Sequence, residues 1–375
     1  MFVLNIKNRE ASYLFEIKVS QFTTEWDMIE KQLQNDSFWY FIQPNEEKYV
    51  EGTRIDFLFD LHFKKTDKSD DFFSYRKLET IYNAGKDFTE TWDYVLQLYY
   101  KLLNWYNDST TYHLVGFITN SGIKKIQDLI NKYKGKNQSS FKEELKNIIT
   151  DKFSKKEKNE DNKWISLYNL KTINYKDNYS ECREILLLYN VLYYINSMAG
   201  YKFPFELFIK EKWSIEHIIP QNPKDLKDIK HYKQWIEDIL EYTDIPFPTN
   251  LSNDLKKANS IEEVNNNVEL KSAIDELVTE SEDITHLMSN LLLLDRNTNS
   301  SLGNKPFSEK RKTVLSFDKE GINENGKPVF IPIESLNAFN KVNSEEINIE
   351  NWTKDDGDNY IDSIQKRLQK FLPEN

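Results

Sequence analysis

The chain has 375 residues, of which 39% are hydrophobic, 14% aromatic and 30% charged, and its formal net charge is −11. That length holds about two or three domains with ample core material. A single cysteine, Cys182, excludes an intrachain disulfide framework and any Cys-built zinc or iron–sulfur centre.

No apolar run reaches the roughly 18 residues of a membrane span. The first residues lack the basic and apolar regions of a secretory signal, so a cytoplasmic chain with no membrane segment is expected. The charge is uneven: −6 over 1–120, +5 over 121–160 and −10 over 161–375. An acidic chain does not draw nucleic acid over long range, so binding to it must rest on local basic groups or a metal.

Taken in chain order, residues 2–19 alternate enough to predict one or two short strands. Thr23 and Thr24 read as an N-cap before a helix that starts with EWDMIEKQL. Residues 51–63 place Ile55, Leu58, Phe59 and Leu61 near helical spacing, and 64–72 read as a charged loop. The firmest helix of the first half is 88–107, where Trp92, Val95, Leu96, Tyr99, Leu102, Leu103 and Tyr106 recur at three- and four-residue steps. Helices are also predicted at about 121–134, 139–150 and 179–198. Residues 152–163, almost wholly polar, read as a solvated hinge. The first half is thus a mostly helical domain.

The pattern changes near Lys202. Phe203, Phe205, Leu207 and Ile209 alternate as in a strand, and a second alternation runs from Trp213 to Ile219 and stops at Pro220. Residues 222–289 are largely polar and acidic, with helices predicted at about 231–242 and 260–280. Leu287 to Leu294 suits a buried strand, 295–312 passes from small polar residues into a short basic helix, and 358–372 reads as a terminal helix.

Chemistry concentrates in two places. The first is WSIEHIIPQN (213–222), where Glu216 precedes His217 and Pro220 puts the histidine at a strand end, so that neighbouring side chains can turn to a common point. Alone, His217 reads as a satisfied histidine in an apolar strand. The second is 289–312, with Asn290 opening the strand, Asn299 nine residues on, and then Asn304, Lys305, Lys310, Arg311 and Lys312. Alone, Asn299 reads as a cap or turn residue and the lysines as a solvated helix face.

Together, E-H-I-I-P-Q (Glu216 to Gln221), Asn290, Asn299 and N-K-P-F-x-x-K (Asn304 to Lys310) resemble the HNH (ββα-metal) nuclease domain. The match is closest to the version at the C-terminal end of GmrSD-type modification-dependent restriction endonucleases. In the first half, F-x-x-E-W-D-x-I-E-x-x-L with FW-x-F (Phe22 to Phe41), R-I-D-F-L-F-D-L (Arg54 to Leu61) and N-W-Y-N-D with Y-H-L-V-G-F (Asn104 to Phe117) resemble the helical segment before the nuclease in single-chain members. F-I-P-I (Phe330 to Ile333), N-W-T-K-D-D (Asn351 to Asp356) and Tyr360 extend the likeness to the tail.

The resemblance implies an α+β, mostly α chain. A helical N-terminal domain spans 1–200, and an HNH ββα-metal nuclease domain with a helical insertion at 222–289 spans 201–375. It implies a metal-dependent endonuclease or nickase acting on foreign, modified DNA in restriction and phage defence. Glu216 and Asn299 would hold Mg²⁺ or Mn²⁺, since hard oxygen donors suit those ions over zinc. His217 would be the general base, and Asn290 would brace the loop and orient it. Asn304, Lys305, Lys310 and Arg311 would face phosphate.

Long members of the group carry a ParB-like NTP-using domain with a D-G-Q-Q-R motif. Neither that motif nor a G-x-x-x-x-G-K-[ST] loop occurs here. The expectation is therefore an effector part with a separately encoded ParB-like, NTP-using partner. A non-catalytic adaptor of a defence complex, or an HNH nuclease acting on RNA, is the competing reading.

Overall fold

The computed structural model describes residues 12–44, 49, 53–158, 162, 164–198, 200–221, 226–344 and 348–372. Among them the chain is α+β and mostly α, with two small antiparallel two-stranded sheets set among helices. Two compact units divide it: Met1–Lys146 with Ala199–Ile209, and Asn147–Met198 with Lys210–Asn375.

The first unit is helical and its core is aromatic. In the Thr89–Asn107 helix, Trp92, Val95, Tyr99 and Leu102 are buried as the spacing predicts, Leu98 and Trp105 join them, and Leu96, Leu103 and Tyr106 are only half-buried at the edge of the stripe. Trp92 stacks on Trp26 at 5.9 Å between centroids and donates its Nε1 hydrogen to Glu25 over 2.6 Å. Asn35 and Asp108 cap the Asp36–Ile42 and Ser109–Asn120 helices, each side chain accepting from a first-turn N–H. Gly116 in the latter lies so close to the Phe205 ring that no Cβ fits there.

Two strand expectations in this unit are corrected. Residues 12–19 belong to a helix, Ser12–Leu33, and 2–11 lie outside the described residues. Thr23 and Thr24 are inside that helix rather than at its start, their hydroxyls donating back to the carbonyls of Val19 and Ser20. The alternation at 203–209 is likewise helical from Phe205 (Phe205–Lys210). Phe205 and Phe208, three residues apart, point into the core, which an i, i+3 pair satisfies as well as an alternating one.

In the second unit, β1 (Lys156–Lys158) and β2 (Trp164–Ser166) form an exposed ribbon where a solvated hinge was predicted. The Tyr179–Ser197 helix is buried nearly all round and meets the Lys354–Leu368 helix, where Tyr189 and Ser363 share a 2.8 Å hydrogen bond.

Two further strands carry the site. β3 (Ser214–His217) pairs antiparallel with β4 (Leu291–Leu294), with Glu216 opposite Leu292 and His217 opposite Leu291. All four leucines of β4 are fully buried, which explains an uninterrupted apolar run where a half-exposed strand would alternate. The Tyr360 hydroxyl and the Ser335 hydroxyl donate to the Leu291 and Leu293 carbonyls. These bonds satisfy acceptors a two-stranded sheet leaves open.

Between the strands runs the helical insertion: Ile229–Thr243, Thr249–Lys257, Ile261–Asn266 and Val268–Thr285. The single helix predicted at 260–280 is two, because Asn267 accepts from the Leu270 N–H and starts a new helix. After β4, Asp295 caps the Arg296–Leu302 helix by accepting from Asn297 and Thr298. The chain therefore reads strand, insertion, strand, short helix.

Candidate active site

Pro220 lacks an N–H, and β3 ends three residues before it, so the loop beyond needs another anchor. Asn290 supplies it. Its Oδ1 accepts from the Ile219 N–H at 2.8 Å, and its Nδ2 donates to the carbonyls of Ile219 at 2.9 Å and Thr285 at 2.8 Å. Its own carbonyl accepts from the Ile218 N–H at 2.8 Å. Asn290 is fully buried, and these bonds tie the end of β3 to the start of β4.

The loop is also held from the insertion. Trp235 of the Ile229–Thr243 helix donates its Nε1 hydrogen to the Pro220 carbonyl at 2.7 Å. One turn further along, Asp238 accepts from the Phe307 N–H at 3.0 Å, and burial pushes its carboxyl up to about 7. The insertion is thus part of the wall around the strand pair.

His217 is 7% exposed. Its Nε2 lies 3.2 Å from His286 Nδ1, and the Gln221 amide nitrogen lies 2.9 Å from its Nδ1 and 2.7 Å from its Nε2. Tyr175 packs edge-on to His217 at 4.7 Å and stacks on His286. Burial first, then the charges of Lys310 and His286, push His217 down to about 3. The ring is therefore neutral near pH 7 and holds a lone pair.

Glu216, 8% exposed, receives the Lys310 ammonium at 2.5 Å, and the same ammonium donates to the His217 carbonyl at 2.6 Å. Burial raises the Glu216 carboxyl while Lys310 acts in the opposite direction. The expectation that Lys310 faces phosphate is corrected here. At 1% exposure it lies inside, because a buried carboxylate needs a paired cation. Arg311 is half-buried and donates from Nε to the Phe339 carbonyl at 2.8 Å. Lys305, also half-buried, donates to the Ser301 carbonyl at 3.0 Å. Asn304 is half-buried in the turn before Phe307.

Asn299 comes to β3 from the Arg296–Leu302 helix. Its Nδ2 donates to Ser214 Oγ at 2.9 Å and to the Ile215 carbonyl at 3.1 Å, next to Glu216 in the strand. Among the described residues nothing donates to its Oδ1.

The donor chemistry fits a hard divalent ion. Glu216 offers carboxylate oxygen and Asn299 an amide oxygen to which no described residue donates, both hard donors, while the Lys310 ammonium holds the cation's place at that carboxylate. No group of three or more His, Cys, Asp or Glu side chains arranged for a metal occurs among the described residues. An ion held here would thus complete its shell with water or phosphate, as Mg²⁺ does.

Three contributors escaped the sequence reading. His286 and Tyr175 come from the end of the insertion and the loop before the Tyr179–Ser197 helix, and Gln221 stood in a quoted motif without a role. The one signal for His286 is its place four residues before Asn290. Nothing in the spacing marks Tyr175.

Comparison with protein families gives a match over residues 124–371 to the model described as GmrSD restriction endonucleases, C-terminal domain. No curated protein and no solved structure matches the chain.

Proposed function

We propose that this chain, which belongs to the GmrSD restriction endonuclease family, is a metal-dependent HNH endonuclease or nickase that hydrolyses phosphodiester bonds of foreign, modified DNA. The family is one of restriction nucleases. The HNH mechanism, the metal, the modified target and a cytoplasmic, ParB-like NTP-using partner are our reading. The nuclease portion would be 201–375 and the helical portion 1–200.

The observation that carries the reading is the joining of Glu216 and His217 at the end of β3 to Asn290, just before β4, and to Asn299 on the helix after it. In this scheme Glu216 and the Asn299 Oδ1 hold Mg²⁺ or Mn²⁺. The ion, when bound, supplies Lewis-acid neutralisation of charge at the scissile phosphate. His217 takes the proton of the attacking water. Its Nε2 faces His286, and the Gln221 amide nitrogen lies 2.9 Å from Nδ1 and 2.7 Å from Nε2, so in this scheme the Gln221 side chain moves aside before the imidazole accepts that proton. Asn290 keeps the loop, and hence the imidazole, in register. In the same scheme Lys305, Asn304 and Arg311 would contact backbone phosphates.

A plasmid and phage-DNA cleavage assay with Mg²⁺ or Mn²⁺ tests this. His217→Ala is expected to lower the rate by roughly 10² to 10⁴, and unchanged cleavage would remove His217 from the chemistry. One observation favours a second reading, a non-catalytic adaptor: Lys310 already neutralises Glu216. Absence of metal-stimulated cleavage of both DNA and RNA, with the partner subunit present, would select it. Cleavage of RNA alone would select the RNA nuclease.

A further inference from the structure

Two of the first-half sequence patterns, Phe22 to Leu33 and Arg54 to Leu61, take no part in the site above, yet they meet. They line a cavity of about 600 Å³ within the first unit, a size in the ordinary range for small-ligand sites. Phe22 and Trp26 come from the first pattern. Asp56, Phe59 and Asp60 come from the second, and the exposed rings of Phe72 and Tyr75 join them. The aromatic wall is braced from behind, since Trp26 stacks on Trp92 and Phe22 meets Trp92 edge-on at 4.7 Å.

The two carboxylates in this cavity differ. Asp60 is fully engaged: it accepts from Tyr49 at 2.7 Å and Ser74 at 2.5 Å, and pairs with Lys65 at 3.1 Å. It fixes the wall. Asp56, one helical turn earlier on the same face, receives no side-chain hydrogen bond or ion pair from the described residues. It is exposed, and partial desolvation by neighbouring atoms, then Asp60 and Glu30, raise its carboxyl above the ordinary range against the opposing charge of Lys65. An acceptor so placed stands ready for a donor brought by a ligand.

We propose that this cavity binds a nucleobase bearing an exocyclic amino group, its ring against the Phe22, Trp26 and Tyr75 faces and its amino hydrogens on Asp56. Flat π-systems stack on such walls, and a carboxylate accepts from the amino group of cytosine as it does in base recognition elsewhere. Asp56, Asp60 and Asp71 outnumber Lys65 in the lining, so a phosphate is repelled. The ligand enters by its base, either as a free nucleoside or as a base unstacked from a strand whose backbone stays outside. This site is independent of Glu216 and His217, and its test needs neither metal nor cleavage.

Isothermal titration of the full chain, without metal, with cytidine, uridine, oligo-dC, oligo-dT and tetramethylammonium decides it. Cytidine and oligo-dC are expected to bind at least about tenfold tighter than uridine and oligo-dT. Asp56→Asn is expected to bring that ratio near one while leaving the thermal midpoint unchanged, and Tyr75→Ala to weaken every base. Saturation by cytidine places the free base in the cavity, whereas response to oligo-dC alone assigns it to a strand. Equal binding of uridine and cytidine, an Asp56→Asn variant that still discriminates, response to tetramethylammonium alone, or no heat with any probe overturns the proposal.

Discussion

The Nε2 atom of His217 lies 3.2 Å from the Nδ1 atom of His286, with the two buried rings edge to face at 5.3 Å between centroids. A hydrogen bond between two neutral imidazoles needs one donor and one acceptor nitrogen, so protonating both rings puts two positive charges together. Burial and Lys310 act in the same direction. His217 therefore stays neutral well below the ordinary histidine range. If it is the base, kcat/KM, which reports the free enzyme, is expected to stay flat from about pH 7 to about pH 5, with its acid limb below that. A limb near pH 6.5, the value of an unperturbed histidine, would assign proton transfer to another group.

Lys310 and Glu216 form an ion pair with both side chains almost out of water. Removing one member strands the other, at a cost of about 3–5 kcal/mol, whereas replacing both by apolar or neutral groups of like size is far milder. Lys310→Met is therefore expected to lower the urea-unfolding free energy by about that amount, and Lys310→Met with Glu216→Gln to recover most of it. A double variant whose loss equals the sum of the Lys310→Met and Glu216→Gln losses would show that the pair is not coupled.

Much of this site could be read in the sequence because it rests on local cues. Pro220 ends a strand by its missing N–H, and four adjacent leucines after Asn290 announce a strand buried on both faces. The stripe from Trp92 to Tyr106 marks its helix in the same way. What could not be read depends on distant pairing. Glu216 selects Lys310, 94 residues away, from a run of basic residues that share one composition. His286 meets His217 only after the insertion has folded back. The Ser12–Leu33 helix was misread because Leu14 to Val19 alternates and only a longer window restores the helical period.

Asn290 makes three side-chain hydrogen bonds to the backbone, one accepted and two donated. Asn290→Ala leaves those three groups in a dry interior without partners, and each unsatisfied group costs about 1–3 kcal/mol. Asn290→Asp keeps the acceptor but turns an oxygen on the Ile219 and Thr285 carbonyls. Both variants are expected to lose roughly 3 kcal/mol or more, with Asp no milder than Ala. Cleavage is expected to fall even at temperatures where the variants stay folded, since the loop after His217 loses its anchor. Circular dichroism melts run beside the cleavage assay separate the two effects. Full activity in a folded Asn290→Ala would mean the loop holds its shape by other bonds.

His113, in the first unit, has no solvent exposure and a fixed tautomer. Its Nδ1–H donates to the Ser109 carbonyl at 2.7 Å, and its Nε2 accepts from the Phe203 N–H at 3.0 Å. A second proton would face that N–H. Burial, with Lys202 adding to it against the Ser109 bond, pushes His113 down to about 4. The sign follows from linkage. Above about pH 7 the ring is neutral in both folded and unfolded chains and contributes nothing to pH dependence. Below an unfolded value of about 6.5 the unfolded chain takes a proton that the native chain refuses, so stability falls by about 1.4 kcal/mol per pH unit. The fall levels off near pH 4, after a loss of about 3 kcal/mol. His113→Gln cannot titrate, so its deficit relative to wild type is expected to shrink steadily as urea unfolding is repeated from about pH 7 to about pH 4. A deficit that stays constant would show that the ring takes up its proton alike in the folded and unfolded chains, and that the Phe203 N–H does not hold Nε2 as an acceptor.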